Sequence, residues 1–323
     1  MKFRPLGKIG INVSEIGFGA WGIGADMWKG STDKDAMNAL QKAVDLGVNF
    51  FDTALAYGGG HSERLLAKLY RGMKGKIFIA TKVPPKNRQW PARPGVPFNE
   101  AFPKNYIIES ANLSLKNLGV ERIDLLQFHV WSDEWADVEE IWDTVRRLKS
   151  DGKIRAFGIS INDHEPGSAL KAARTGMVDS FQVIYNIFDQ SPEEELFPFC
   201  QKNNIAVIAR VPFDEGGLTG RIRPDTVFMK EDWRNDYFRG DRKQQVYDRV
   251  EKLKLLLGPE AKTLAELSLR FILSRPVVST VIPGMRTIPN VETNTAVSDG
   301  KVLSEKLLKE LKKHKWPRNF YGE

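Results

Sequence analysis

Short, nearly continuous apolar runs recur along the chain near residues 13–19, 48–52, 77–83, 123–130, 155–161, 180–186, 205–212 and 278–283. Runs of this kind, without strict alternation, are those of strands covered on both faces, as in a parallel sheet. Between them the periodicity changes. Ile108, Ala111, Leu115 and Leu118 recur at three- and four-residue steps over 104–118, and Val138, Ile141, Trp142, Val145 and Leu148 do so over 137–149, which predicts helices. Thr32-Asp33-Lys34-Asp35 has the form of a capping box with Asp in place of the usual Glu, and Gly47 is a plausible stop for the helix it opens. Eight strands alternating with helices imply closure into an α/β fold of the (β/α)8 barrel type, with residues 1–323 as one domain.

Three segments break the rhythm. Met1–Asn12 reads as a short hairpin ahead of the first barrel strand. Pro84–Pro103 follows the third strand and is rich in Pro, Arg and Asn; Phe213–Gln245 follows the seventh and carries Trp233, Tyr237 and Phe238. Long loops after barrel strands lie on the C-terminal rim, where pockets and lids are built.

Composition narrows the function classes. The 323 residues, 41% hydrophobic, suffice for a large core, and no apolar run approaches a membrane span. The net charge of +7 is scattered, and its one dense run, Lys309–Lys315, reads as the solvated face of a terminal helix. This argues against nucleic acid and fits a phosphorylated small ligand. Cys200 is the single cysteine, so no internal disulfide and no cysteine metal cluster can form. The four histidines show no ligand spacing, and no metal is expected. Lacking an apolar leader core, the chain is expected in the cytoplasm.

The chemistry sits at the ends of strands. Val48-Asn49-Phe50-Phe51-Asp52, Ile77-Phe78-Ile79-Ala80-Thr81-Lys82 and Ile123-Asp124-Leu125-Leu126-Gln127-Phe128-His129 each finish on an ionisable side chain, and Tyr57 follows Asp52 closely. Such groups are costly in a core unless paired or used. A phenol is a poor acid at neutral pH, with an ordinary pKa of about 10. An adjacent ammonium is expected to lower that value, a carboxylate to hold the lysine, and a neutral imidazole to orient the reacting oxygen. The set suits protonation of a carbonyl oxygen while a cofactor delivers a hydride.

These residues resemble a known family. Gly17-Phe18-Gly19-Ala20-Trp21-Gly22, Phe51-Asp52-Thr53-Ala54 with Tyr57, Ala80-Thr81-Lys82, Phe128-His129, Phe157-Gly158-Ile159-Ser160, Gln182-Val183-Ile184-Tyr185-Asn186, Gly217-Leu218-Thr219-Gly220 and Ile282-Pro283-Gly284-Met285-Arg286 are similar to aldo-keto reductase motifs, in order from about residue 10 to Ala296. The resemblance implies a catalytic tetrad of Asp52, Tyr57, Lys82 and His129, and an N-terminal hairpin closing the barrel bottom. It implies NADPH/NADP+ as cofactor, with Arg286, Asn290 and Asn294 near the 2′-phosphate. Ser160 and Gln182 are implied for the nicotinamide carboxamide, and Trp21, Asp52, Arg210, Val211, Pro212, Leu218, Gly220 and Gly284 elsewhere along the cofactor.

Two departures matter. The family commonly has Asn directly after the serine; here Ile161 stands there and Asn162 follows, which can substitute only if the strand has ended. Arg210 stands where many relatives carry an aromatic that stacks on the nicotinamide; it either stacks in that place or pairs with Asp214 or Glu215. Gly17 to Gly22 also matches G-x-G-x-x-G, but no helix follows at once and Asp52 comes too late for a ribose-binding acid, so the match is read as accidental. Trp21 and Trp131 each follow a strand and are candidates for the substrate wall with Tyr57 and His129; core packing is the alternative for Trp131.

The resulting expectation is an NADPH-dependent reductase of a small-molecule aldehyde or ketone, with no membrane insertion and protein partners open. Two alternatives share the residues: a cofactor-bound redox-sensing regulatory subunit of a membrane channel, and a dehydrogenase oxidising alcohols or sugars.

Overall fold

The computed structural model describes residues 1–318; the end of the expected domain, 319–323, lies outside the described residues. Ten strands are present: β1 Phe3–Pro5, β2 Asn12–Ser14, β3 Phe18–Gly19, β4 Phe50–Asp52, β5 Phe78–Val83, β6 Ile123–Phe128, β7 Ile154–Ser160, β8 Ser180–Ile184, β9 Ala206–Arg210 and β10 Val278–Val281. β1 and β2 form an antiparallel hairpin, while β3 to β10 follow one another in a parallel sheet. Parallel bridges from Ile16 to Val281 and from Gly19 to Gly284 join the first and last strands, completing a (β/α)8 barrel.

The seam explains one glycine. A Cβ on Gly19 would lie 2.7 Å from the Ile282 carbonyl oxygen, so any larger residue would push the closing strands apart. The expected first strand over 13–19 is in fact divided. Asn12–Ser14 belongs to the hairpin and only Phe18–Gly19 to the barrel, because Ser14 exchanges hydrogen bonds with Asn49 below the sheet.

Alternation along the strands separates two apolar layers. Phe50, Phe78, Ala80, Leu125, Ala156, Ala206 and Ile208 fill the barrel interior, floored by Leu6 and Val13 of the hairpin. Their neighbours Phe51, Ile79, Leu126, Phe157, Phe181 and Val207 face the surrounding helices. The same alternation carries upward, so that Asp52, Lys82 and Gln127 share the interior side just above the apolar filling.

Helices form where periodicity predicts them: Asp33–Asp45, Lys104–Leu118 and Glu139–Ser150. Thr32 caps the first, accepting from the Asp35 amide at 3.2 Å, and Gly47 follows it with φ of 88°. Over 104–118 the buried residues are Ile107, Ser110, Ala111, Ser114 and Leu118; Ala111 and Leu118 are as expected, while Ile107 and Ser114 are buried in place of Ile108 and Leu115. Small serines let this helix lie close against the sheet. Both long loops contain a short helix, Phe98–Ala101 and Arg234–Tyr237. Among the described residues, no helix is long and apolar enough to cross a membrane, and no cluster suited to a metal ion is found.

Candidate active site

Lys82 ends its inward row on β5 and is fully buried, as is Asp52 on β4 apart from 2% of its surface. A buried lysine needs compensation, and it has it. Nζ donates to Asp52 Oδ1 at 2.6 Å and to the Thr53 carbonyl at 2.8 Å. Asp52 Oδ2 in turn accepts from Gln182 Nε2 at 2.7 Å and Gln127 Nε2 at 3.4 Å. The carboxylate is thus held by amides from two further strands. Gln127 was missed by the sequence reading, although it bears the same mark as the others: a polar side chain inside an apolar run.

Tyr57 is carried by the turn leaving β4. Gly58 makes that turn possible, with φ of 60° and a position where a Cβ would lie 2.1 Å from the Gly24 carbonyl oxygen. Tyr57 Oη is 3.5 Å from Lys82 Nζ, whose charge also lies 5.1 Å from the phenol ring centre. The expectation that Lys82 depresses the phenol is not met here. The hydroxyl is pushed well above its usual value, by burial first and by the Asp52 carboxylate next, with Arg210 opposing. Lys82 is drawn down by burial, against the pull of Asp52. The ammonium faces its carboxylate more closely than the phenol, so the phenol keeps its proton.

His129 follows β6, its ring 5.6 Å from that of Tyr57. Burial, then Lys82 and Arg210, hold the imidazole well below its usual value, and its Nδ1 has no hydrogen-bond partner among the described residues. A neutral imidazole with an orphaned buried nitrogen, beside a protonated phenol, fits a carbonyl oxygen as missing partner.

The other expected residues separate. Trp21 lies at the rim, 6.1 Å from Tyr57 with nearly parallel rings. Trp131 does not reach it: fully buried, it packs against Phe128, Trp135 and Trp142. β6 has ended at Phe128, so alternation no longer aims Trp131 inward, and the wall expectation is corrected to core packing. Ser160 is the last residue of β7, paired in register with Gln182. Asn162 does lie beyond the strand end, but its amide is engaged with Ala92 and Trp131. Arg210 donates to Asp163 at 2.6 Å and to the Ile161 carbonyl at 2.7 Å, and its charge also acts on the Glu215 carboxyl, opposing the upward push of burial. Asp214 is engaged by Tyr237 and Arg242.

The segments expected along the cofactor have distinctive backbone conformations. Val211, with φ of 54°, leads past Pro212 into the left-handed residues Asp214, Glu215 and Gly216, then Leu218 and Gly220. Gly284 has open space where a Cβ would stand. Arg286 donates to the Lys29 carbonyl at 2.8 Å and precedes the helix Ile288–Thr295, which bears Asn290 and Asn294 and whose cap residue Thr287 makes no side-chain bond to it. Uncapped N–H groups beside a guanidinium suit a phosphate. The Gly17 to Gly22 segment is no dinucleotide turn. Gly22 lies in a short turn, Trp21–Ile23, and a Cβ there would strike Arg286 Cδ at 2.6 Å.

The Aldo/keto reductase family model matches residues 15–315. The chain belongs to that family. It is 30% identical over 312 residues to the aldo-keto reductase YhdN of Bacillus subtilis, covering 94% of this chain and 91% of the relative. It is 29% identical over 310 residues to the NADH-specific methylglyoxal reductase of Escherichia coli, covering 92% and 93%. The glycerol dehydrogenase AKR11B4 from Gluconobacter oxydans superposes with a TM-score of 0.79 at 27% identity, over 97% of this chain and 94% of that one. The family is one of oxidoreductases, which agrees with the chemistry of the site.

Proposed function

We propose that this aldo-keto reductase reduces an aldehyde or ketone to an alcohol with NADPH, Tyr57 acting as general acid. The observation that carries the reading is the Asp52–Lys82–Tyr57 chain with the orphaned imidazole of His129 beside it. A bound reduced nicotinamide supplies the hydride. The residues of the chain do the rest. His129 orients the carbonyl oxygen, Tyr57 gives it a proton, and Lys82, fixed by Asp52, holds the phenolic oxygen in place through a hydrogen bond of 3.5 Å.

Burial and Asp52 keep the phenol protonated, the form in which it can donate to a carbonyl oxygen; the same hydroxyl, deprotonated, would serve the reverse reaction, so both directions run through Tyr57. NADPH rather than NADH is supported by Arg286 at the helix start, although the Escherichia coli relative is named NADH-specific.

Replacing Tyr57 by Phe tests the mechanism. Turnover should fall at least about a hundred-fold, the low end for general acid catalysis, with NADPH affinity nearly unchanged. Retention of most activity would remove Tyr57 from the chemistry.

A further inference from the structure

Trp90, on the 84–103 loop, stands edge-on to the His129 ring at 4.4 Å and 88° and remains 39% exposed. It ends a row of rings in which each touches the next: Trp233 to Trp21 at 6.1 Å, Trp21 to Tyr57 at 6.1 Å, Tyr57 to His129 at 5.6 Å, and His129 to Trp90. The proton donor and the orienting imidazole lie in the middle. Met27 is exposed beside this row, its carbonyl accepting from the Trp233 amide at 2.9 Å. Exposed apolar groups gathered at a site mark a binding surface rather than a packing need.

A loop tryptophan is a usable wall only if its backbone is fixed. Asn162 fixes it. Its Oδ1 accepts from the Ala92 amide at 3.2 Å and its Nδ2 donates to the Ala92 carbonyl at 3.1 Å, so one side chain satisfies both backbone groups of a residue two positions from Trp90. The same Oδ1 accepts from the Trp131 amide at 3.4 Å, and Asn162 is buried. Its neighbours are held from the other side, the Ile161 carbonyl and the Asp163 carboxylate both receiving Arg210. Ile161–Asp163 is therefore a bridge between the end of β9 and the loop that carries Trp90.

We propose that Trp90, latched by Asn162 through Ala92, is a specificity-determining wall of the carbonyl site, and that the site takes aldehydes or ketones bearing a flat apolar group. The proposal rests on the reductase reading. A flat ring placed between Trp21 and Trp90 gains stacked or edge contacts on both sides while its carbonyl reaches Tyr57 and His129. A small polar aldehyde gains neither. Asn162 is a positioning residue, acting only through the loop.

The test compares 2-naphthaldehyde with propanal, using the NADPH-loaded protein. Wild type should favour naphthaldehyde in kcat/KM. Trp90→Ala should lower the naphthaldehyde-to-propanal ratio tenfold or more, chiefly through KM. Asn162→Ala should lower the same ratio several-fold, and the double variant should fall no further than Trp90→Ala alone, since residues acting through one contact are not additive. A wild-type preference for propanal, a ratio unmoved by Trp90→Ala, or additive losses in the double variant would each overturn the proposal. Reduction of neither aldehyde would instead count against the reductase reading. Titration of 2-naphthylmethanol into the NADP+-loaded protein then decides the wall by itself: tenfold weaker binding to Trp90→Ala supports it, and equal affinity overturns it.

Discussion

Glu215 shows how much a single residue can be forced to do by its place in the chain. It stands in the left-handed region with φ of 53°, directly after Asp214 at 47°. Conformations of this kind cost about 1–3 kcal/mol each for residues with a Cβ. Burial, then the Asp214 and Asp163 carboxylates, push its carboxyl up to about 8. The folded protein thus holds a proton that the unfolded chain releases from its ordinary value of 4.5 upward. The sign follows from linkage: this contribution to stability is complete below 4.5 and is lost as pH rises through about 8. Glu215→Gln cannot lose that proton. Denaturant unfolding at a series of pH values should show a decline for wild type across that window and a flatter profile for the variant. Identical slopes would mean that the carboxyl is solvated.

At the scale of elements, the proposed preference for NADPH rests on the turn from β10 into the helix Ile288–Thr295. The helix start offers uncapped N–H groups, and Arg286 is anchored there by the Lys29 carbonyl and by Trp28, whose ring lies 5.2 Å from the guanidinium. Burial and the nearby Arg234 pull Arg286 below its usual value, so a dianion at this point would relieve a crowding of positive charge. Arg286→Ala should weaken NADPH binding by about 1.5–3 kcal/mol, the range for hydrogen bonds to charged groups, and leave NADH binding nearly unchanged. Calorimetric titration with both cofactors separates this from a structural role. Equal losses would show that Arg286 serves only to hold the Lys29 segment.

For the whole molecule, the decisive contact is remote from the chemistry. Arg4 on the N-terminal hairpin pairs with Glu15 at 2.8 Å and donates to the carbonyls of Leu273 at 2.7 Å, Arg275 at 3.1 Å and Val278 at 3.1 Å. It ties the floor of the barrel to the entry of β10, next to the seam where the sheet closes. Arg4→Ala leaves three carbonyls and the nearly buried Glu15 short of a partner, which should lower unfolding stability by about 2–4 kcal/mol. Chemical denaturation reads this directly. A loss within a few tenths of a kcal/mol would mean that water replaces the guanidinium and that closure depends on the strands alone.

The sequence by itself determined the barrel and the gathering of Asp52, Tyr57, Lys82 and His129 at its mouth, because both are written in local signals. Strand runs, helical periodicity and polar residues at strand ends depend on the alternation of side chains along a strand, and alternation needs no knowledge of what lies opposite. Tertiary structure decided the rest. Trp131 turned into the core because β6 stopped at Phe128, which no local pattern announces. Arg210 pairs closely with Asp163, 47 positions away, since strand ends distant in sequence meet across the barrel mouth. Asn162 was placed beyond the strand as its use required, yet its amide went to the loop at Ala92. Trp90 and the lowered importance of Lys82 for the phenol emerged only from packing, because distance and burial, not order along the chain, set the strength of a contact or a charge.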